Sequence, residues 1–237
     1  MIEVHVLRVF TDEHGRFGNP LGVVLGGPEL AGPVRQAIAT ELGYSETVFV
    51  TDPATARLRI HTPAVELPLA GHPLVGTSWL LARELGEQPT ELRPELVSDP
   101  VPTFVEDDLT WIRAATADAP PWLHTRLADP AAVTAAEPVA PHAARTQLWA
   151  WSDEPAGHIR ARMFAADFGV VEDEACGSAT LLLAATLGRE IQVHHGAGSR
   201  VSARPAGPTA AEIGGRVTHD GTITVDVPDA AAPAKDE

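Results

Sequence analysis

The sequence is poor in cysteine and in positive charge. Cys176 is the single cysteine among 237 residues, so an internal disulfide is excluded and a reducing compartment is expected. The 17 Lys and Arg are outnumbered by 32 Asp and Glu, which gives a formal net charge of −15. Such a surface repels phosphate backbones and anionic membranes, so we expect neither a nucleic-acid partner nor a membrane partner.

Long apolar runs are also missing. No stretch reaches the about 18 apolar residues that a membrane-spanning helix needs, and the first residues lack the pattern of a secretion signal. We therefore expect a cytoplasmic globular protein. Its 44% apolar residues are enough for a core, and its 20 Gly and 21 Pro indicate the many turns of a strand-rich fold. The middle of the chain, from Pro89 to Arg145, predicts short strands and loops.

Two mostly apolar helices are predicted, over 72–85 and 178–187, and Gly86 and Gly188 follow them as terminating residues. A helix that is apolar on nearly all sides must be covered on all sides. We therefore expect each helix to lie at the centre of its own curved sheet.

The segments that lead into the two helices are alike. Both have Glu, three residues, a small residue, Gly and a polar residue. The offset from Glu66 to Glu172 is 106 positions, and so is the offset from Gly71 to Gly177. This repeat predicts an α+β fold of two pseudo-symmetric halves, in each of which a curved, mostly antiparallel sheet or barrel wraps a central helix.

We place the N-terminal half at 1–110 and the C-terminal half at 111–221. A late strand over 222–227 is expected to fold back onto the first half, and 228–237 is predicted to be a disordered tail, because it is rich in Ala, Pro and charge.

Gly71 and Gly177 suggest an anion site. A glycine before a helix lets backbone N–H groups approach a ligand, and the helix N-terminus adds unsatisfied donors and partial positive charge. Two such termini facing one cleft could hold a carboxylate without an arginine. The alternative is that both glycines only form tight strand-to-helix turns.

Four motifs carry a family resemblance. They are Gly18-Asn19-Pro20, Tyr44-Ser45-Glu46-Thr47, the stretch TPAVELPLAGHPLVGT at 62–77 and the stretch RMFAADFGVVEDEACGSA at 162–179. In order and spacing they resemble the PhzF-like phenazine-biosynthesis family. The resemblance implies a diaminopimelate-epimerase-like fold with the active site between its halves. It also implies a homodimeric isomerase that shifts a proton within a small carboxylated substrate by acid/base catalysis, with no metal and no organic cofactor.

The resemblance also assigns roles. Glu46 resembles the family's catalytic acid/base, His72 the histidine beside it and Asp173 the active-site aspartate. The residues that it places against the substrate are Ser45, Gly71, Cys176, Gly177 and Ser178. Read without the family, Glu46 is a solvated residue at a strand start, and the acidic run at 172–174 is a solvated turn.

Cys176 leaves two further interpretations open. Related epimerases carry a cysteine in each half, whereas the repeat here pairs Cys176 with Ala70, which cannot transfer a proton. A two-thiol epimerase is therefore disfavoured. The helix N-terminus beside Cys176 is expected to lower the pKa of its thiol, which keeps a Cys176-dependent racemase or hydrolase open. A catalytically inactive small-acid binding protein is the other alternative.

No metal site is expected. The sequence has no Cys/His cluster with the spacing of a metal site. His194 and His195 are adjacent, and neighbouring residues of a strand point to opposite faces of a sheet.

Overall fold

The computed structural model describes residues 1–26, 29–138, 145–165 and 170–227. The predicted tail at 228–237 lies outside the described residues. Among the described residues, no helix is both long enough and apolar enough to cross a bilayer.

The elements of the first part of the chain are, in order, β1 (Ile2–Thr11), β2 (Asn19–Leu25), α1 (Gly32–Leu42), β3 (Glu46–Asp52), β4 (Arg57–His61), β5 (Glu66–Leu67), α2 (Gly71–Leu85), β6 (Glu91–Pro94), β7 (Val101–Glu106) and β8 (Leu109–Ala115). A short 3-10 helix, Thr116–Asp118, follows. The remaining elements are β9 (Leu123–Arg126), α3 (Pro130–Ala135), β10 (Thr146–Asp153), β11 (His158–Ala165), β12 (Val170–Asp173), α4 (Gly177–Leu187), β13 (Ile191–His195), β14 (Ser199–Pro205) and β15 (Ala210–Val225).

The strand pairings of the first half recur in the second half in the same order. β2 runs parallel to β3 as β9 does to β10, and β4 runs parallel to β6 as β11 does to β13. The antiparallel pairs β3–β4, β4–β5, β6–β7 and β7–β8 correspond to β10–β11, β11–β12, β13–β14 and β14–β15. The predicted α+β fold of two pseudo-symmetric halves is therefore confirmed.

The first half forms a closed sheet around α2. Neighbouring strands run in the order β1-β2-β3-β4-β6-β7-β8-β15, and β15 pairs again with β1. Helix α2 packs against β1, β2, β3, β8 and β15. Helix α4 packs against β14 and β15 in the second half. One continuous apolar core, which includes Leu74 of α2, Leu181 of α4 and Ile213 of β15, joins the two halves.

Strand β15 belongs to both halves. Residues 210–215 pair with β8, and 216–225 pair with β1. The sequence predicts a strand only from 222, whereas β15 begins at Ala210. Gly214 and Gly215 interrupt its apolar pattern, because the rings of Trp111 and Phe10 occupy the space where their side chains would lie. Strand β8 crosses the predicted boundary between residues 110 and 111, and that boundary stays a prediction.

Helices α2 and α4 each begin one residue before the predicted start. Gly86 and Gly188 follow them in the left-handed conformation, at φ 74° and 66°, as expected for glycines after a helix. Neither helix has a hydrogen bond from its first N–H groups to a capping side chain, because Ala70 and Cys176 occupy the cap positions. Both N-termini therefore keep backbone donors that a ligand can use.

Candidate functional site

The N-termini of α2 and α4 meet. A Cβ placed on Gly71 would lie 3.5 Å from the Cα of Gly177. The same Cβ would lie 2.7 Å from Ile213 Cδ1, and a Cβ on Gly177 would lie 2.8 Å from that atom. Both positions therefore exclude a side chain, and the close approach brings the two helix termini, with their partial positive charges, to one place.

Glu46 begins β3, and its carboxylate lies beside His72 of α2. Glu46 Oε2 is 3.3 Å from His72 Nε2, and the two side chains are 17% and 7% exposed. Burial raises the pKa of Glu46 to about 6. The Ser45 hydroxyl favours the ionised form, but Ser45 Oγ makes no hydrogen bond of good geometry, so burial dominates. A carboxyl group with this pKa can both accept and return a proton near neutral pH.

His72 is held as a neutral imidazole. Burial lowers its pKa, while the Asp173 carboxylate and a hydrogen bond to the Pro20 carbonyl oppose the shift. Because His72 Nε2 has no hydrogen-bond partner, we assign the ring proton to Nδ1, which faces the Pro20 carbonyl. Nε2 is then an acceptor that faces the Glu46 carboxyl group.

Asp173 ends β12 and belongs to the same electrostatic group. Its Oδ1 accepts a hydrogen bond from Asn19 Nδ2 at 2.9 Å and one from the Ala175 N–H at 3.1 Å. Burial raises the pKa of Asp173 and the Glu46 charge adds to that shift, whereas the Asn19 amide favours the ionised form, as does His72 when it is protonated. Glu46, His72 and Asp173 therefore influence one another's protonation, although 46, 72 and 173 are far apart in the sequence.

Cys176 is a neutral thiol, and the expected lowering of its pKa is wrong. It is buried at the cap position of α4, and burial and the Asp173 charge raise the pKa of the thiol well above its ordinary value. The effect of desolvation thus exceeds that of the helix terminus. Its Sγ is 3.5 Å from Ser178 Oγ, which accepts a hydrogen bond from Trp122 Nε1 at 2.8 Å.

The structure brings the predicted site residues into one region. These residues come from three segments of the chain. Ser45 immediately precedes β3 and Glu46 begins it, and Gly71 and His72 begin α2. The segment from the end of β12 into α4 contributes Asp173, Cys176, Gly177 and Ser178. The contacts of Asn19 and Trp122 at this site cannot be predicted from the sequence, where Asn19 is only part of the Gly18-Asn19-Pro20 motif and Trp122 belongs to no motif. In the described part of the chain, His, Cys, Asp and Glu side chains form no group of three or more that could hold a metal ion.

The fold is similar to that of solved structures of known proteins. The structure resembles that of a phenazine biosynthesis protein of the PhzF family from Enterococcus faecalis, with a TM-score of 0.76 and 19% identity over 93% of this chain and 97% of that one. It also resembles a predicted epimerase from Pseudomonas aeruginosa, with a TM-score of 0.75 and 23% identity over 95% and 99% of the two chains. These likenesses define the fold as that of PhzF-family proteins.

Sequence comparison establishes the family. The model of the phenazine biosynthesis-like PhzC-PhzF family matches residues 7–143 and 110–228. The trans-2,3-dihydro-3-hydroxyanthranilate isomerase of Pseudomonas aeruginosa is 33% identical over 217 residues, which cover 76% of this chain and 77% of that protein. The chain belongs to the PhzC-PhzF family, and it is an isomerase.

Proposed function

We propose that this isomerase moves a proton within a small carboxylated substrate, without a cofactor, and that the substrate binds where α2 and α4 meet. One observation supports the proposal above all. The Glu46 carboxyl group, with its pKa raised to about 6, faces an unpartnered His72 Nε2 beside the paired helix N-termini. A buried carboxylate oxygen without a hydrogen-bond partner, such as Glu46 Oε2, is costly for folding, and buried groups with a perturbed pKa cluster at catalytic sites.

The substrate carboxylate docks on the backbone donors at the two N-termini. Gly71 and Gly177 let the two helix N-termini approach each other closely, and Ser178 and Ser45 offer hydroxyl groups. Cys176 contributes a small neutral surface beside Ser178. The partial positive charges of both helices stabilise the negative charge of the carboxylate, and more strongly so when that charge grows during proton removal.

Glu46 carries the proton. Its ionised carboxylate takes a proton from a carbon next to a double bond, and the C–H electron pair moves into the conjugated system of the substrate. Protonated Glu46 then returns the proton to another carbon of that system, so the double bond shifts and Glu46 is ionised again. His72 and Asp173 hold the polar groups of the substrate and stabilise the shifting charge.

The name of the Pseudomonas aeruginosa relative suggests where to look for the substrate. That protein is named as an isomerase of trans-2,3-dihydro-3-hydroxyanthranilate, an unsaturated ring that bears carboxylate, amino and hydroxyl groups. We propose small unsaturated carboxylic acids of this kind as the substrate class of the present chain.

Isomer formation tests the proposal. Wild type, Glu46→Gln and Glu41→Gln are incubated with a panel of unsaturated and amino carboxylic acids, and new isomers are read by NMR. Glu41 lies exposed on α1, so its variant is a matched control for the loss of one carboxylate. We expect wild type and Glu41→Gln to form the isomer and Glu46→Gln to lose at least about 10²-fold in rate, the usual size of a general acid/base contribution. Equal rates in all three proteins would refute the role of Glu46.

Two other outcomes would favour the two alternative functions that the sequence leaves open. Tight binding of a small acid by wild type without any new isomer would favour an inactive binding protein. Activity that survives in Glu46→Gln but disappears in Cys176→Thr would favour a thiol-dependent racemase or hydrolase. The homodimer, the cytoplasmic location and the lack of a nucleic-acid partner stay predictions.

A further inference from the structure

Asn19 is the only asparagine in the chain, and it is buried. Its side-chain amide donates to Asp173 Oδ1 at 2.9 Å and to the Ala175 carbonyl at 3.0 Å. Asn19 begins β2 in the first half, whereas both acceptors lie 154 or more positions later, in the segment that leads into α4. One amide group thus joins the first half to the residue that the proposed function places against the substrate.

The two hydrogen bonds determine the orientation of the Asp173 carboxylate. Oδ1 accepts from both Asn19 and the Ala175 N–H, so this oxygen already has two hydrogen bonds within the protein. Asn19 cannot rotate without losing its bond to Ala175 as well. The second carboxylate oxygen, Oδ2, takes part in neither of these bonds.

Asn19 is itself held in place from the second half. The Gly18 N–H donates to Ser199 Oγ at 2.9 Å, and Ser199 donates to Glu174 Oε1 at 2.7 Å. Gly18 has a φ of 88°, and a Cβ there would lie 2.8 Å from the Val9 carbonyl, so the position requires glycine. Through Ser199, the residue before Asn19 is therefore hydrogen-bonded to the same β12–α4 segment that Asn19 contacts.

We propose that Asn19 is a positioning residue, which holds Asp173 by Oδ1 and thereby presents Oδ2 to the substrate. The proposal rests on the proposed function for the identity of the ligand, but the Asn19–Asp173 contact can be tested without any ligand. Asn19 acts through Asp173 and need not touch the substrate.

The contact between Asn19 and Asp173 can be measured through its effect on the pKa of Asp173. The groups that act on it are His72 of α2, Glu46 of β3 and the amide of Asn19, and Glu174 and Cys176 follow it in the chain. Burial and Glu46 oppose the ionised carboxylate, whereas the Asn19 amide favours it, as does His72 when it is protonated. A hydrogen bond to the ionised form of a carboxyl group lowers its pKa, so the loss of the Asn19 amide is expected to raise the pKa of Asp173.

Selective labelling with ¹⁵N-asparagine gives a direct signal. Because the chain has one asparagine, the labelled protein shows a single side-chain NH₂ pair. We expect one of its two protons to shift with pH as Asp173 titrates. The shift should disappear in Asp173→Ala, which keeps Asn19 as the single asparagine, and persist in Glu174→Gln, which removes the neighbouring carboxylate instead. A side-chain amide whose signals do not change with pH, or change equally in Asp173→Ala, would overturn the proposal.

A second measurement uses Asn19→Leu, which has a similar shape but no donor. With ¹³C-aspartate labelling, the pKa of Asp173 should be higher than in wild type. An unchanged pKa would overturn the proposal. If Asn19→Leu does not fold, the amide titration in wild type still decides. If no substrate is found, both NMR measurements remain valid, so failure of the proposed function and failure of the positioning role can be told apart.

Discussion

Glu46 Oε2 and His72 Nε2 lie 3.3 Å apart, and neither atom has a hydrogen-bond partner. Since His72 is held neutral, the contact is favourable when Glu46 carries a proton that it can share with Nε2. The ionised form of Glu46 faces a lone pair instead. Ionisation of Glu46 is therefore unfavourable in the folded protein, and this has consequences for stability and for catalysis.

The raised pKa of Glu46 makes the folded state less stable when this residue is ionised. The pKa rises from 4.5 to about 6 on folding, so the folded state binds the proton more tightly than the unfolded state does. Stability from this group is full below about pH 4.5 and is lost as the pH rises through about 6. Glu46→Gln should therefore be more stable than wild type by about 2 kcal/mol at pH 8.

Urea unfolding of both proteins between pH 4 and pH 8 measures this difference, and Glu41→Gln is the control for an exposed carboxylate on α1. The stability gain of Glu46→Gln should shrink toward zero at pH 4. A gain that does not change with pH would mean that the raised pKa of Glu46 is not its cause.

Gly71 and Gly177 should tolerate alanine only if Ile213 becomes smaller. A Cβ on Gly71 would lie 2.7 Å from Ile213 Cδ1, and Ile213→Val removes that atom. We expect Gly71→Ala to lose about 1–3 kcal/mol of stability through overpacking. Adding Ile213→Val should recover part of this loss, and a double-mutant cycle by urea unfolding measures the coupling. Purely additive effects would contradict the close packing at this point.

Cys176 should react slowly in the native protein. Its thiol is buried, and its raised pKa leaves little thiolate at neutral pH. Each unit of raised pKa removes a factor of ten in thiolate, so we expect iodoacetamide to label the native protein at least about a hundredfold more slowly than the urea-unfolded protein. Mass spectrometry over time gives both rates. Rapid labelling of the native protein, with loss of activity, would instead support catalysis by the thiol.

Much of the fold could be predicted from the sequence because its signals are local. Apolar runs that end in Gly86 and Gly188 predict α2 and α4 to within one residue. The repeat of Gly71 and Gly177 predicts two pseudo-symmetric halves. These signals need no knowledge of distant contacts.

The rest depends on long-range packing. Strand β15 begins twelve residues before its predicted start. Gly214 and Gly215 interrupt its apolar pattern in the sequence, and in the structure the rings of Trp111 and Phe10 fill the space of the missing side chains. Helix α3 lies in a stretch predicted to be loops, and its start depends on Asp129, whose side chain accepts the Ala132 N–H. Neither the start of β15 nor helix α3 can be predicted from local composition.

The candidate site, like the fold, can be predicted only in part from the sequence. The motifs point to Glu46, His72 and Asp173, but only the folded chain brings Asn19 to Asp173. The sequence predicts a lowered pKa for the Cys176 thiol because the helix N-terminus can be recognised in the sequence, whereas the burial of the thiol cannot. Desolvation depends on residues from several elements, so the sequence alone gives the wrong sign for this group.

Deuterium tracing tests the central claim most directly. Wild type, Glu46→Gln and Glu41→Gln are incubated in D₂O with the unsaturated acids, between pH 5 and pH 8, and both the isomer and carbon-bound deuterium are followed by NMR. We predict that wild type forms the isomer or incorporates deuterium, with a kcat/KM that falls as the pH drops through about 6, since the base must be ionised. Glu46→Gln should do neither. If Glu46→Gln shifts the proton as fast as wild type, Glu46 is not the group that carries it.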